Sequence, residues 1–277
     1  MNKEELLKYL EILDNRSKAE FYSKLEERKL KELEFHDRHR NGRFVNEDTY
    51  EKLHSNEKFY RTAQLSKDYV EFWINSHSKG KIFLDYACGN GLYAIKAAKA
   101  GAELAIGLDI SKVSIENAQR FAKERGVSNN TYFIQGDCEN TGFPDECIDV
   151  CVCSGILHHL DIKYVFPELK RILKKGGMIL AMEALDYNPL IKLYRNMTPQ
   201  MRTEWERAHI LSYKDIIFAK RFFEVKEIRH WHLLSIAGTY IPFALPFLNL
   251  IDSFILKLPL LKMLSWMFSF ELHKKGR

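Results

Sequence analysis

The sequence predicts an α/β fold with a doubly wound, mainly parallel sheet of seven strands. From residue 81 onward, short apolar runs alternate with stretches of helical periodicity. The stretches between the runs are long enough for crossover connections, which join parallel strands and cover both faces of a sheet with helices. With 277 residues, 46% of them hydrophobic, the chain can bury a core of that size.

The elements of this core follow in order along the chain. The predicted strands are Ile82–Tyr86, Leu104–Asp109, Thr131–Gln135, Ile148–Cys153, Met178–Glu183, Phe222–Leu233 and the run MFSFELHKK near the C terminus. The predicted helices between them are Leu92–Ala100, Ser111–Arg125 and Val165–Lys174, with a further helix ahead of them around Thr62–Asn75.

Four parts are predicted along the chain. They are a helical N-terminal extension or lid (1–76), the strand-and-helix core (77–185), an insertion after the fifth strand (186–221), and the last strands (222–277) with an apolar helical insertion at 235–265. Leu6, Leu10 and Leu13 recur at helical spacing. We therefore expect residues 1 to about 43 to form one or two amphipathic helices that pack on the core.

Composition disfavours several classes of protein. The net charge of +5 is small and not clustered, so no nucleic-acid partner is expected. Cys147, Cys151 and Cys153 lie in one apolar segment, and we expect buried free thiols rather than disulfides or metal ligands. The beginning, MNKEELLKYL, is charged and unlike a secretory leader, so we expect a cytoplasmic protein without a metal site.

The segment FLDYACGNGLYA places Asp85 at the end of an apolar run, just before a turn with Gly89 and Gly91. Such turns are typical of nucleotide sites, and Asp109 ends the next strand, where an acid accepts hydrogen bonds from ribose hydroxyls. An anion at the turn repels pyrophosphate and attracts an ammonium group. The pattern therefore favours S-adenosylmethionine, which carries an amino-acid end and no phosphate, over dinucleotides.

Five motifs in order resemble those of the class I (Rossmann-like) S-adenosylmethionine-dependent methyltransferases, and the chain is similar to their small-molecule and lipid-type members. They are the acid-and-glycine turn, GLDIS, QGDCENTGF, SGILHHL and LKRILKKGGMILAMEAL, within roughly residues 81–183. The resemblance implies cofactor contacts from Asp85, Ala87, Cys88, Gly89, Gly91, Asp109, Ile110, Asp137, Cys138 and Ser154. It also implies that Asp109 binds the ribose and Asp137 the adenine amino group; the alternative for both is an acid that only caps a helix. Ala87 stands where the family usually has glycine, and alanine has little freedom for a positive φ.

His158 and His159 follow the fourth strand, in the segment that faces the reacting methyl group in the family. The cofactor supplies the leaving group, so a base is needed only for acceptors such as phenols, alcohols, thiols or activated carbons. Either histidine is a candidate for that base, although the pair could instead cap or pack the next helix. His36 is a weaker candidate for covering the cofactor, with a solvated helix end as the alternative.

The insertion at 186–221 is one candidate for binding the acceptor. Its candidate residues are Tyr187, Tyr194, Arg195 and Arg202, with Trp205 and His209 beside them. The arginines could bind an acidic group of the acceptor, or they could pair with neighbouring carboxylates.

The apolar insertion at 235–265 is the second candidate. Residues 231–251 contain no Asp, Glu, Lys or Arg, but Pro242 and Pro246 interrupt them, and a span would place the last strand across a membrane. A helical insertion is predicted instead. Four roles are open for it: it could line an acceptor pocket, bind a partner, contact a membrane surface or pack as ordinary core. The first three options favour a lipid, isoprenoid, quinone or polyketide acceptor.

We therefore expect an S-adenosylmethionine-dependent methyltransferase (EC 2.1.1.-) that acts at oxygen or carbon of a small or lipid-like acceptor. The alternatives are an NAD(P)-dependent oxidoreductase that uses the same turn, and a non-catalytic protein that binds the cofactor or a membrane. No Asn/Asp-Pro-Pro-aromatic motif follows the fourth strand, which disfavours amino groups of nucleic acids. The acceptor and the oligomeric state stay open.

Overall fold

The computed structural model describes residues 1–16, 18–40 and 57–275. Its centre is a seven-stranded sheet in the order β3-β2-β1-β4-β5-β7-β6. The strands are β1 (Ile82–Tyr86), β2 (Leu104–Asp109), β3 (Thr131–Gln135), β4 (Ile148–Ser154), β5 (Leu173–Ala184), β6 (Phe223–Trp231) and β7 (Met267–Lys274). The first five are parallel, whereas β7 pairs antiparallel with β5 and β6. The predicted mainly parallel, seven-stranded sheet is confirmed.

Helices cover both faces of this sheet. They are α1 (Lys3–Asp14), α2 (Lys18–Ser23), α3 (Glu27–Arg40), α4 (Glu57–Tyr60), α5 (Gln64–His77), α6 (Leu92–Lys99), α7 (Lys112–Glu124), α8 (Ile162–Ile172), α9 (Pro189–Met197), α10 (Glu204–Ala208), α11 (Tyr213–Ala219) and α12 (Leu245–Ile255). The described part of the N-terminal segment thus holds three helices, not one or two, because α1 already ends at the C-cap residue Asn15. Residues 41–43 of that prediction lie outside the described residues.

The core consists of two apolar clusters, one on each face of the sheet. Neighbouring strand residues point to opposite faces, so Leu84 belongs to one cluster and Phe83 to the other. Leu6 and Leu10 of α1 are fully buried in the first cluster. The N-terminal leucines therefore pack on the core, as their spacing predicts.

The boundary between α8 and β5 differs from the prediction. The helix begins three residues earlier than Val165, because the Asp161 side chain caps it by accepting a hydrogen bond from the Lys163 amide. It ends at Ile172, and β5 begins at once with Leu173, which pairs with Ile148 across a register shift. Gly176, which has a φ of 74°, therefore lies in an irregular strand rather than at a helix end.

All five cysteines are buried free thiols, as predicted. Cys151 and Cys153 lie on the same side of β4, with their sulfur atoms 4.0 Å apart.

The apolar insertion at 235–265 folds as α12 flanked by short 3₁₀ turns. Pro242 begins one of these turns and Pro246 lies in the first turn of α12, where a missing N–H is tolerated. Asp252 is buried and accepts hydrogen bonds from the backbone amides of residues 233, 234 and 235. Its carboxylate therefore fixes α12 to the chain just after β6. Among the described residues, no helix has the length and apolar character needed to cross a membrane.

Candidate active site

The turn after β1 is built from residues with positive φ. Ala87, Gly89 and Gly91 have φ values of 54°, 52° and 75°. At Gly91 a Cβ atom would lie 2.6 Å from the ring of Phe133, so a side chain does not fit there. The turn therefore passes tightly over the carboxyl ends of the strands, and Ala87 adopts a conformation that is strained for alanine.

Asp85 is buried near the end of β1, and its Oδ2 accepts hydrogen bonds from the backbone amides of Tyr93 (3.1 Å) and Ala94 (3.0 Å) in α6. It therefore caps this helix. Among the described residues, its other oxygen, Oδ1, accepts no hydrogen bond. Burial raises the pKa of Asp85 to about 7, and Asp109 adds to this, while the two amides oppose it. A cation at Oδ1 would favour the ionised form.

Asp109 connects the turn to the next helix. Its Oδ2 accepts a hydrogen bond from the Gly89 amide at 2.8 Å, and its Oδ1 accepts one from the Ser111 amide at 2.9 Å. Both oxygens of Asp109 therefore hold backbone amides at the turn and at the start of α7.

These residues border a cavity of about 270 Å³, which we name the cofactor cavity. Nine of the ten residues expected to contact the cofactor line it, namely Asp85, Ala87, Cys88, Gly89, Asp109, Ile110, Asp137, Cys138 and Ser154. Gly91 does not line it but stands at the N-terminus of α6 as its cap. The predicted set is thus brought to one place, apart from this glycine.

Helix α3 covers one side of the cofactor cavity, and the sequence did not identify the charged residues by which it does so. Arg28 forms two hydrogen bonds with the buried Glu139, at 2.7 and 2.8 Å. Lys29 lies 2.7 Å from Asp137 and 2.9 Å from Glu139, and these carboxylates raise its pKa although burial opposes them. In the sequence, these charges look the same as those of a solvated helix. His36 also lines the cavity, on the side where it was expected.

A larger cavity of about 780 Å³, which we name the acceptor cavity, lies beside the first. Its walls come from α4, α5, α9, α10, the residues after β6 and the start of β7. They are mostly apolar and include Phe59, Val70, Met182, Ile191, Leu234, Ile236 and Met267. Tyr93, Ser154 and Gly155 line both cavities, so the two adjoin at the end of β4.

The two neighbouring histidines lie in a 3₁₀ turn (Leu157–His159) and serve different cavities. His159 lines the cofactor cavity, and its Nδ1 lies 3.0 Å from Glu32 of α3. His158 lines the acceptor cavity, and its Nδ1 lies 2.7 Å from Glu183. In the tautomer with the proton on Nδ1, this nitrogen donates a hydrogen bond to the carboxylate of Glu183. The other ring nitrogen, Nε2, is then unprotonated and can accept a proton.

Glu183 is fully buried near the end of β5 and was not predicted as a site residue. Its second oxygen accepts hydrogen bonds from the Ile156 and Leu157 amides at 2.9 and 2.8 Å, so it holds the turn that carries His158. The signal was present, since an acid that ends an apolar strand also identified Asp85 and Asp109.

Three of the four predicted acceptor residues, Tyr194, Arg195 and Arg202, line the acceptor cavity. Tyr187 lies outside it, because its hydroxyl accepts a hydrogen bond from the Tyr213 amide and its ring packs on the core. Trp205 and His209 are also absent from the lining, since their rings stack on each other at 3.6 Å.

The arginines form the polar end of the acceptor cavity. Arg195 is buried, its pKa is lowered by that burial, and its ion pair with Asp186 is long at 3.5 Å. Arg202 lies 3.3 Å from Glu206, a buried acid whose pKa is raised by desolvation. His158 belongs to the same group, with Nε2 3.9 Å from Glu206.

Among the residues that the structure describes, two groups of histidine and glutamate side chains have candidate metal-ligand atoms within 4.8 Å of one another. They are Glu32, His36 and His159, and His158, His159 and Glu206. Hydrogen bonds from His159, His36 and Thr203 hold the pKa of Glu32 low despite its burial. The expected absence of a metal site stays a prediction.

Comparisons with known proteins identify related chains. The family model described as a methyltransferase domain matches residues 84–181. The chain is 30% identical to the uncharacterized methyltransferase YcgJ of Bacillus subtilis over 153 residues. The matched region covers 54% of this chain and 60% of that protein. It is also 30% identical to sterol 24-C-methyltransferase erg6 of Aspergillus fumigatus over 147 residues. The matched region covers 53% of this chain and 38% of that protein. The chain thus spans less than two thirds of either relative.

Among solved structures, a similar one is geranyl diphosphate C-methyltransferase from Streptomyces coelicolor in complex with Mg²⁺, geranyl-S-thiolodiphosphate and S-adenosyl-L-homocysteine. The TM-score is 0.58, with 15% identity over 76% of this chain and 77% of that chain. This likeness confirms the predicted Rossmann-like methyltransferase fold.

Proposed function

We infer that this chain, which belongs to the class I S-adenosylmethionine-dependent methyltransferases through its domain at residues 84–181, transfers a methyl group to a small, lipid-like acceptor at oxygen or carbon. The observation that carries the inference is the meeting of the two cavities at Tyr93, Ser154 and Gly155. A donor in one cavity and an acceptor in the other would bring their reacting ends to the same place, as an in-line displacement requires.

One feature of the cofactor cavity supports S-adenosylmethionine as its ligand. A buried carboxylate with an unused oxygen, Oδ1 of Asp85, lacks the cation that would favour its ionised form. Asp85 would bind the ammonium group, Asp109 the ribose hydroxyls and Asp137 the adenine amino group. The cofactor supplies an electrophilic methyl group and leaves as S-adenosylhomocysteine.

The acceptor cavity supports an acceptor with a large apolar part and one polar end. The apolar walls would bind the hydrocarbon part through its removal from water. The buried Arg195 and the neighbouring Arg202 would bind an oxygen or an acidic group at the polar end. Two similar methyltransferases, named for a sterol and for geranyl diphosphate, are consistent with this class of acceptor.

His158 is proposed as the base for an acceptor that must lose a proton. Its Nε2 would take the proton from the acceptor oxygen or carbon while the new bond to the methyl carbon forms and the carbon–sulfur bond breaks. Glu183 would hold the ring in the required tautomer and stabilise the imidazolium that results. The partly buried Tyr93, whose hydroxyl lies 3.2 Å from Ser154, would help exclude water between the cavities.

A cytoplasmic location and contact of residues 235–265 with a membrane surface are proposed as well. Five free buried thiols support a reducing compartment. The exposed apolar side chains of the insertion support the membrane contact, which would be at the surface.

Titration calorimetry with S-adenosylhomocysteine and with NAD tests the cofactor. We expect binding of the first alone, and binding of NAD alone would contradict the proposal. Transfer of a labelled methyl group from S-adenosylmethionine to phenols, quinols and isoprenoid alcohols would then identify the acceptor. An untargeted comparison of extracts from producing and deletion strains, searched for pairs that differ by a methyl mass, extends this test beyond the panel. Cofactor binding without any methylated product in either assay would support the non-catalytic alternative.

A further inference from the structure

Helix α12 presents its apolar side to solvent and its acid to the interior. Phe247, Leu250 and Phe254 follow an i, i+3, i+7 pattern, and each is more than half exposed. Asp252 lies on the other side and is buried in hydrogen bonds to three backbone amides. A surface helix normally has the opposite arrangement, so this face lacks an apolar partner within the described chain.

Helix α9 has the same inverted arrangement. Leu190, Leu193 and Met197 also follow an i, i+3, i+7 pattern and are each more than half exposed. Arg195 of the same helix is buried at the acceptor cavity. Two helices from different insertions thus expose apolar stripes while they bury a charge.

Together with their neighbours these residues form what we name the apolar surface. It comprises Leu190, Leu193, Met197, Tyr240, Ile241, Phe243, Phe247, Leu250, Phe254, Leu258 and Leu260, all of them exposed. Leu190 and Tyr240 also line the acceptor cavity, which therefore opens within this surface. Exposed apolar residues in this number, on two segments that border one cavity, mark a site of interaction.

The exposed charges of the two segments that form the apolar surface are positive. Across 189–197 and 235–265 the only acid is the buried Asp252, whereas Lys257 is exposed. Lys58 lies beside the surface, with its ammonium 5.4 Å from the ring centre of Tyr240. Exposed apolar residues flanked by lysines match a bilayer with anionic headgroups.

We propose that the apolar surface docks on an anionic phospholipid bilayer and that the acceptor enters the cavity directly from the lipid, between α9 and residues 236–240. The route of entry rests on the proposed methyl transfer, whereas the docking deepens the proposed membrane contact of residues 235–265 and does not depend on the reaction. A protein partner or a second copy of the chain on this surface would close the mouth of the cavity. A bilayer would instead supply an apolar acceptor to it.

Sedimentation with vesicles tests the docking. We expect the protein to bind vesicles of phosphatidylcholine with phosphatidylglycerol, and to bind phosphatidylcholine alone more weakly. The triple variant Phe243→Ser, Phe247→Ser and Phe254→Ser should lose at least about tenfold in binding, because three apolar side chains no longer insert. The control is Phe72→Ser, since Phe72 is equally exposed on α5 outside the surface. Circular dichroism and binding of S-adenosylhomocysteine establish that both variants are folded.

A fluorescent label gives a second readout. All five native cysteines are buried, so Phe243→Cys can be labelled with an environment-sensitive nitrobenzoxadiazole dye. Its emission should rise and shift to the blue with anionic vesicles, whereas the same label at Phe72→Cys should not change.

Failure of wild-type protein to bind vesicles, or unchanged binding by the triple variant, would overturn the docking. A dimer that the same triple variant dissociates, without vesicle binding, would do so too. If the wild-type protein does not bind S-adenosylhomocysteine, the proposed function is contradicted, but the result of the vesicle experiment is unaffected.

Discussion

Nδ1 of His158 lies 2.7 Å from Oε2 of Glu183, a fully buried carboxylate whose other oxygen accepts two backbone hydrogen bonds. The pair joins the turn after β4 to the end of β5. Because Nδ1 of His158 faces Glu183, the opposite ring nitrogen, Nε2, lies on the side of the acceptor cavity, 3.9 Å from Glu206.

His158→Ala should lower kcat by about 10²- to 10⁴-fold for an acceptor that must lose a proton, as is typical of a missing general base. The affinity for S-adenosylhomocysteine should not change, because His158 lines the other cavity. Steady-state kinetics and calorimetry measure the two quantities. An unchanged kcat would show that His158 is not the base.

Glu183→Gln tests whether Glu183 sets the tautomer of His158 or only holds the turn that carries it. The glutamine carbonyl can still accept the hydrogen bonds from the Ile156 and Leu157 amides, but its amide group would donate to Nδ1 and move the ring proton to Nε2. We expect kcat to fall nearly as far as in His158→Ala, with the fold retained. The ¹⁵N NMR shifts of the His158 ring should report the change of tautomer. A variant with the wild-type tautomer and activity would contradict this role.

Asp85→Asn should weaken the binding of S-adenosylhomocysteine by about 10- to 100-fold, since an ionic hydrogen bond to the ammonium group is lost. In the wild type, affinity should also fall as the pH decreases below about 7, because the protonated carboxyl must release its proton to bind the cation. Calorimetry across this pH range checks both effects. Equal affinity for the two proteins would place the ammonium elsewhere.

The same substitution should stabilise the cofactor-free protein. The folded pKa of Asp85, about 7, lies above its unfolded value, so its contribution to stability is greatest at low pH and is lost as the pH rises towards 7. The advantage of Asp85→Asn should therefore grow between about pH 4 and pH 7 and then level off, at no more than about 4 kcal/mol. Urea denaturation at several pH values measures it. A difference that is independent of pH would contradict the raised pKa.

Ala87→Gly should raise the free energy of unfolding by about 0.5–1 kcal/mol. The left-handed conformation at Ala87, with a φ of 54°, strains an alanine by about 1–2 kcal/mol, and the added entropy of unfolded glycine offsets part of that gain. The matched control is Ala19→Gly in helix α2, which should be destabilising. Urea denaturation compares the three proteins, and a less stable Ala87→Gly would disprove the strain.

Arg195→Leu should weaken the binding of decanoate, a probe with one carboxylate and an apolar chain, by about tenfold or more. Binding of decanol, which carries no charge, should change little. Tyr187→Phe is the control, since Tyr187 lies outside the cavity. It should leave decanoate binding intact and lower stability by about 1 kcal/mol, because the Tyr213 amide loses its acceptor. Calorimetry decides between these results, and equal loss of both probes would refute a charge-specific role.

Local patterns in the sequence were sufficient for much of the cofactor cavity. Asp85, Asp109 and Asp137 each follow or end an apolar run, and the carboxyl ends of parallel strands meet at one edge of a sheet. Once the strands are placed, these residues must lie near one another. The prediction of Tyr187 as an acceptor residue had no such constraint, because it lies in an insertion whose path depends on packing.

The sheet, the glycine turn and the acids around it could be predicted from the sequence, because these depend on residues that are close in the chain or held together by the parallel strands. The tertiary structure alone decided which partners meet across long separations, such as Glu32 with His159 and Glu183 with His158. It also decided that α9 and α12 face outward with their apolar sides. Periodicity shows that a helix has an apolar stripe, but only the burial of Arg195 and Asp252 shows which side meets the core.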